Sequence, residues 1–210
     1  HQEQNWSLHA AGKIERREGD APSHPILLDE IRARVDREVP PDACYQRFHS
    51  LGLDYGPRFR GIERVWIHEG EALGMLTAGE TPASELEEYH IHPVVLDACF
   101  QVMASIIDSR DTYLPVKVGR IRVLGRPDAV SWCHARLTEK NDRGIRGDLD
   151  LYDEKGYLIL EVAGLYCRRV EGSHDAGRDS IEHMRYEYRW VLNDRSGDEN
   201  RATAAGYLPS

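Results

Sequence analysis

Apolar positions along the chain change period several times, and each change predicts an element. From Val94 to Ile107 they fall at 94, 95, 96, 98, 99, 100, 102, 103, 104, 106 and 107. These cover every face of a 3.6-residue repeat, so the pattern predicts a helix buried all round. Pro93 suits its first turn, where a missing N–H costs nothing. Over Ile26–Val39, apolar residues at Leu27, Ile31 and Val35 with charges between them predict a short amphipathic helix, ended by Pro40-Pro41. A second short helix is expected over Ala43–Ser50, with Asp42 as its cap and Tyr45, Phe48 and Leu51 on one side.

Elsewhere the period falls to two. Ile62–His68 and Glu71–Ala78 read as strands joined through Glu69-Gly70, and a polar loop over Gly79–Tyr89 leads to the buried helix. Strands are expected over Leu114–Leu124, Ser131–Lys140, Gly147–Tyr152 and Tyr157–Arg169, punctuated at Arg126-Pro127-Asp128, Asn141–Gly144 and Asp153–Gly156. One long apolar helix among antiparallel strands is an α+β pattern, and a sheet curved around that helix would bury both. Trp6, Leu8, Ala10 and Gly12 alternate with polar residues and predict one more strand at the start. A chain that opens on a partnerless strand is expected to be part of something larger. Residues 171–181 and 193–210 are polar, with a brief alternation at Tyr186, Tyr188 and Trp190 between them, and read as a tether with one short strand.

Composition narrows the function classes. The formal charge of −9 argues against nucleic acid as a partner, since no basic field would collect phosphates. Cys44, Cys99, Cys133 and Cys167 form no C-x-x-C pair. Reduced, mostly buried thiols in a cytoplasmic protein are expected, with neither disulfides nor a zinc site. No stretch has the apolar length of a membrane span or a signal-peptide pattern.

The candidate chemistry lies inside the apolar run. A carboxylate there costs several kcal/mol of desolvation unless it is paired, protonated or facing a cavity. Asp97 is therefore a candidate general acid with a raised pKa, and Gln101, four residues on, shares its face and could orient it. A buried helix-start acceptor is the other reading, and the residues leave both open. Leu51–Gly61 carries Tyr55-Gly56-Pro57, which is either a plain turn or a rigid loop presenting Tyr55 to a ligand. His92 precedes the helix-starting proline and is expected to cap or pack.

His92-Pro93-Val94-Val95-Leu96-Asp97-Ala98-Cys99-Phe100-Gln101, Gly52–Gly61 with its Tyr-Gly-Pro-x-Phe, and Tyr113-Leu114-Pro115-Val116 together resemble polyketide synthase dehydratase domains. The likeness spans about residues 5–190 and implies a hotdog fold, a curved antiparallel sheet around one long helix. These domains are double hotdogs, and the first hotdog supplies a histidine in His-x-x-x-Gly-x-x-x-x-Pro. No histidine here has that pattern. The resemblance therefore implies a C-terminal half. Residues 1–17 would be the last strand of a missing N-terminal hotdog, 18–42 an inter-hotdog linker, 43–171 the C-terminal hotdog and 172–210 a post-dehydratase linker.

The implied reaction is loss of water from a β-hydroxyacyl thioester on acyl carrier protein, giving an α,β-unsaturated chain. Asp97 would be the acid, Gln101 and Tyr55 its supports, and Gly56, Pro57, Phe59, Leu96 and Pro115 the substrate pocket. No metal or redox cofactor is implied, since the phosphopantetheine arm belongs to the carrier protein. Partners would be the histidine-bearing N-terminal half, the carrier protein and neighbouring synthase domains, with self-association if that half is missing. The isolated chain is expected to be inactive. The alternatives are a non-catalytic structural or carrier-docking hotdog, and an isomerase or product-template variant.

Overall fold

The structure, a computed structural model, describes residues 10–15, 24–127 and 130–170. The predicted opening strand is described only from residue 10, and residues 10–15 there are exposed and in no regular element. The alternation at Tyr186–Trp190 lies outside the described residues. By contacts the chain divides into one unit over His1–Ser173 and another over His174–Ser210.

The first unit runs α1 (Leu28–Arg34), β1 (Arg37–Val39), α2 (Pro41–Ser50), a 3-10 turn (Pro57–Phe59), β2 (Ile62–His68), β3 (Glu71–Thr77) and α3 (Ala83–Leu86). It continues with α4 (Pro93–Ser105), β4 (Thr112–Lys117), β5 (Arg120–Val123), β6 (Val130–Asn141), β7 (Gly144–Tyr152) and β8 (Leu158–Val170). Among the described residues the strands form one antiparallel sheet, ordered β1-β2-β3-β6-β7-β8-β4, with β5 also paired to β8. Register shifts between Ile62 and Arg64, Leu137 and Glu139, and Gly147 and Leu149 bend the strands and raise their twist. The sheet thereby curls around α4.

Two glycines let the helix approach. A Cβ at Gly74 would run into Val102 of α4, and one at Gly147 would meet Met103 and the Arg136 carbonyl. Around α4 the core gathers Val65, Ala72 and Leu76 with Cys133, Leu149, Leu151, Leu160 and Val162. The helix is less enclosed than its apolar run predicts. Val94, Val95, Ala98, Cys99, Val102 and Met103 are buried, while Leu96, Asp97, Phe100 and Ala104 form a half-buried face.

The sheet's other face is apolar too. Trp66 and Leu73 point away from α4 and pack with Ile31 and Val35 at α1, and Trp66 stacks on Trp132 at 6.0 Å. The helix predicted over 26–39 stops at Arg34, and β1 pairs Arg37 with Ile67 and Val39 with Val65. Residues 28–39 thus hold a helix and a strand that pack on the sheet. A three-residue strand has too little pattern to read alone and exists because β2 offers an edge. Likewise the strand expected over 114–124 is broken, with β4 and β5 binding different stretches of β8. All four cysteines are free and buried.

Candidate active site

Asp97 lies in the second turn of α4, on its half-buried face. Gln101, one turn later and 1% exposed, donates from Nε2 to Asp97 Oδ2 at 2.7 Å. The same Nε2 donates to the Phe59 carbonyl at 2.8 Å. Gln101 Oε1 accepts from the Tyr45 hydroxyl at 3.1 Å, and the Ile62 N–H donates to that hydroxyl at 3.0 Å. Burial lifts the Asp97 carboxyl above the usual carboxylate range, against the opposing pull of the Gln101 hydrogen bond. Burial also pushes the Tyr45 phenol up to about 12, and raises Tyr55, whose phenol lies close enough to feel the Asp97 charge.

The Tyr-Gly-Pro-x-Phe stretch has a use that its spacing does not show. Gly56 accepts from the Phe59 N–H, closing the 3-10 turn Pro57–Phe59, and the turn presents the Phe59 carbonyl to Gln101. Tyr55 packs edge-on against Phe48 at 5.5 Å and Tyr45 at 6.1 Å. Tyr55 and Gly56 also line a cleft of about 590 Å³ with Tyr45 and Arg60, into which Asp97 does not open. Phe59's ring and Pro57 are exposed, and Leu96 is half-buried beside Asp97. Pro115 is exposed on β4 opposite Cys167, a sheet edge where a residue without an N–H is tolerated. The structure therefore brings Asp97, Gln101, Tyr55 and the Phe59 carbonyl into one neighbourhood and leaves Pro115 on the edge strand.

Tyr45 has no signal in the sequence. It is 56 positions from Gln101 and reads as one more apolar residue of α2. His92, by contrast, does as expected. Its Nδ1 accepts from the Val94 N–H at 3.2 Å and caps α4, and its ring lies edge-on to Tyr89. The predicted cap Asp42 does not serve α2, which starts on Pro40-Pro41 with no side-chain cap. Among the described residues no group of His, Cys, Asp or Glu could hold a metal ion, and no helix is long and apolar enough to cross a membrane.

A long helix inside a curled antiparallel sheet defines a hotdog-like α+β fold. Residues 16–177 match the family described as the polyketide synthase dehydratase N-terminal domain, and the chain belongs to that family. It is 26% identical over 157 residues to polyketide synthase PksN of Bacillus subtilis, covering 71% of this chain and 3% of that synthase. It is 32% identical over 146 residues to phthioceranic/hydroxyphthioceranic acid synthase of Mycobacterium bovis, covering 66% and 7%. Among solved structures, the dehydratase domain from the CurF module of curacin polyketide synthase superposes with a TM-score of 0.66 at 28% identity, covering 75% of this chain and 56% of that one. A trans-AT polyketide synthase dehydratase domain from Brevibacillus brevis gives 0.67 at 25%, covering 75% and 57%. The chain thus spans a few per cent of the curated synthases and a little over half of the solved domains.

The family match overturns the assignment to a C-terminal half. That assignment rested on the likeness of three stretches, the Asp97 helix, the Tyr-Gly-Pro-x-Phe segment and Tyr113–Val116, to a second hotdog, and on one missing histidine motif. A helix wrapped by a sheet is common to both halves of a double hotdog and cannot by itself say which half a chain is. The absence of one short motif is equally weak as a locator.

Proposed function

We propose that this chain acts in removing water from a β-hydroxyacyl thioester carried on acyl carrier protein, with Asp97 giving its proton to the departing hydroxyl. The observation that carries this reading is the Asp97 carboxyl itself. It is lifted by burial, held by Gln101 and set on the half-open face of α4. A carboxyl that keeps its proton nearer neutral pH is what expelling hydroxide requires. Gln101 aims it, and the Tyr55 phenol, itself held neutral, lies close enough to feel its charge. Leu96 supplies apolar surface beside it for the acyl chain.

Loss of water also needs a base for the α-proton. Among the described residues no histidine is hydrogen-bonded to Asp97 or Gln101, and His92 uses Nδ1 for the helix cap. The acid half of the reaction is therefore the part this site supports. Neighbouring synthase domains and the carrier protein would deliver the substrate on its phosphopantetheine arm.

The test is water loss from a β-hydroxyacyl carrier protein, followed by mass spectrometry in the smallest assembly that shows it. Asp97→Asn should lower turnover by about 100-fold or more, the usual contribution of a general acid, with the circular dichroism spectrum unchanged. Unaltered turnover in that variant would remove Asp97 from the reaction.

A further inference from the structure

Gln101 has two ends, and the two orientations of its amide act in opposite directions on Asp97. With Nε2 toward the carboxyl it donates and favours the charged form. With Oε1 there it would accept only from the protonated acid. Two neighbours choose between these orientations. The Phe59 carbonyl can only accept, so it demands Nε2. Tyr45 is the less obvious partner. Its hydroxyl accepts from the Ile62 N–H, which leaves its single proton for Gln101 Oε1. The direction of the whole chain, Ile62 N–H to Tyr45 to Gln101 to Asp97, is thereby set by a backbone donor at the start of β2.

We propose that Tyr45 is a positioning residue for the acid, acting through Gln101 by fixing which end of that amide meets Asp97. This inference rests on the reading of Asp97 as the proton donor. Tyr45 is well placed for such a task. It is 8% exposed, its ring is fixed edge-on between Phe48 and Tyr55, and the Arg60 guanidinium lies over it at 5.4 Å. Its Oη links three elements, α2, β2 and α4.

Removing the hydroxyl while keeping the ring leaves Gln101 Oε1 without its donor in a buried site. The amide then either loosens its hold on Asp97 or turns its oxygen toward a protonated carboxyl. Both changes favour the neutral acid, so the Asp97 titration should move to higher pH. The other ionisable groups around Asp97 are Tyr55 and Tyr45 itself, with Arg60 beyond the Tyr45 ring.

The experiment is a 13C-carboxyl NMR titration of Asp97 in the full chain. Tyr45→Phe and Gln101→Leu should each raise its midpoint, and Tyr45→Phe should add nothing in the Gln101→Leu background. An unmoved midpoint in Tyr45→Phe, or a further shift in the double variant, would overturn the proposal, because a merely structural tyrosine would not act through Gln101. A second measurement needs no variant. In the unaltered chain the Tyr45 hydroxyl proton should exchange slowly and show a cross-peak to the Gln101 side chain, and a fast-exchanging hydroxyl would equally overturn it. Neither readout depends on turnover. A failure of the dehydration assay with Asp97→Asn is therefore distinguishable from a failure here.

Discussion

The wrapping of the sheet around α4 can be tested at Gly74. This residue sits in β3 between Val65 of β2 and Cys133 of β6, so its backbone is held on both sides. A methyl built there meets both Val102 methyls, and Val102 is fully buried. Valine in a helix has essentially one χ1 rotamer, so it cannot swing aside. Gly74→Ala should therefore cost about 1–3 kcal/mol by overpacking, reduced by about 0.5–1 kcal/mol because alanine restricts the unfolded chain. Val102→Ala alone should cost roughly 2 kcal/mol in lost burial and cavity. In the double variant the new methyl occupies part of the space vacated, so the two costs should fall short of their sum by about 1–2 kcal/mol. Equilibrium urea denaturation of the four proteins measures this. Gly56→Ala, where a Cβ meets nothing within 4 Å, serves as the control and should stay within about 0.5 kcal/mol of the parent. Additivity within about 0.5 kcal/mol between Gly74 and Val102 would mean that α4 does not press on β3 there, and the placement of Asp97 would lose its foundation.

Other outcomes follow from the same geometry. The Asp97 pKa is raised on folding, so the folded chain holds that proton more tightly and loses stability as pH rises from the unfolded value of 3.8. Asp97→Asn should therefore melt higher than the parent at pH 7 and lose that advantage near pH 3, as calorimetry at the two pH values would show. His134 is the opposite case. It is buried, contacts Glu71 at 2.5 Å and Arg136 at 2.7 Å, and burial holds its pKa below 6.5. Its contribution is present above pH 6.5 and is lost as pH falls through its folded value, so His134→Gln should flatten the acid limb of a stability–pH curve. Trp66→Ala should cost about 3–5 kcal/mol in urea denaturation, because Trp66 joins α1 to the sheet. A loss under 1 kcal/mol would mean that α1 adds little to the sheet it packs on.

The helix over 93–105 and the paired strands were legible because their apolar periods are long and distinct. Asp97 stood out for the same reason, as one acid in a greasy run with an amide one turn away. Other features could not be read so. The 3-10 turn at Pro57–Phe59 reads as a turn, but what it offers is a main-chain carbonyl, which every residue has. The strand β1 is three residues long and takes its shape from β2. Which half of a dehydratase the chain represents was misread, since both halves repeat the same helix-in-sheet plan.

Local chemistry along the chain determined that a long apolar helix forms, that strands flank it, and that Asp97 and Gln101 share one face, because helical spacing makes neighbours of residues four apart. Only the tertiary structure decided that this face stays half-open, that α1 covers the far side of the sheet, and that Tyr45 and the Phe59 carbonyl orient Gln101. Those contacts join residues 42 and 56 positions apart. Nothing in the pattern around either partner encodes such a meeting, which exists only once the curled sheet has brought α2, the turn and α4 together.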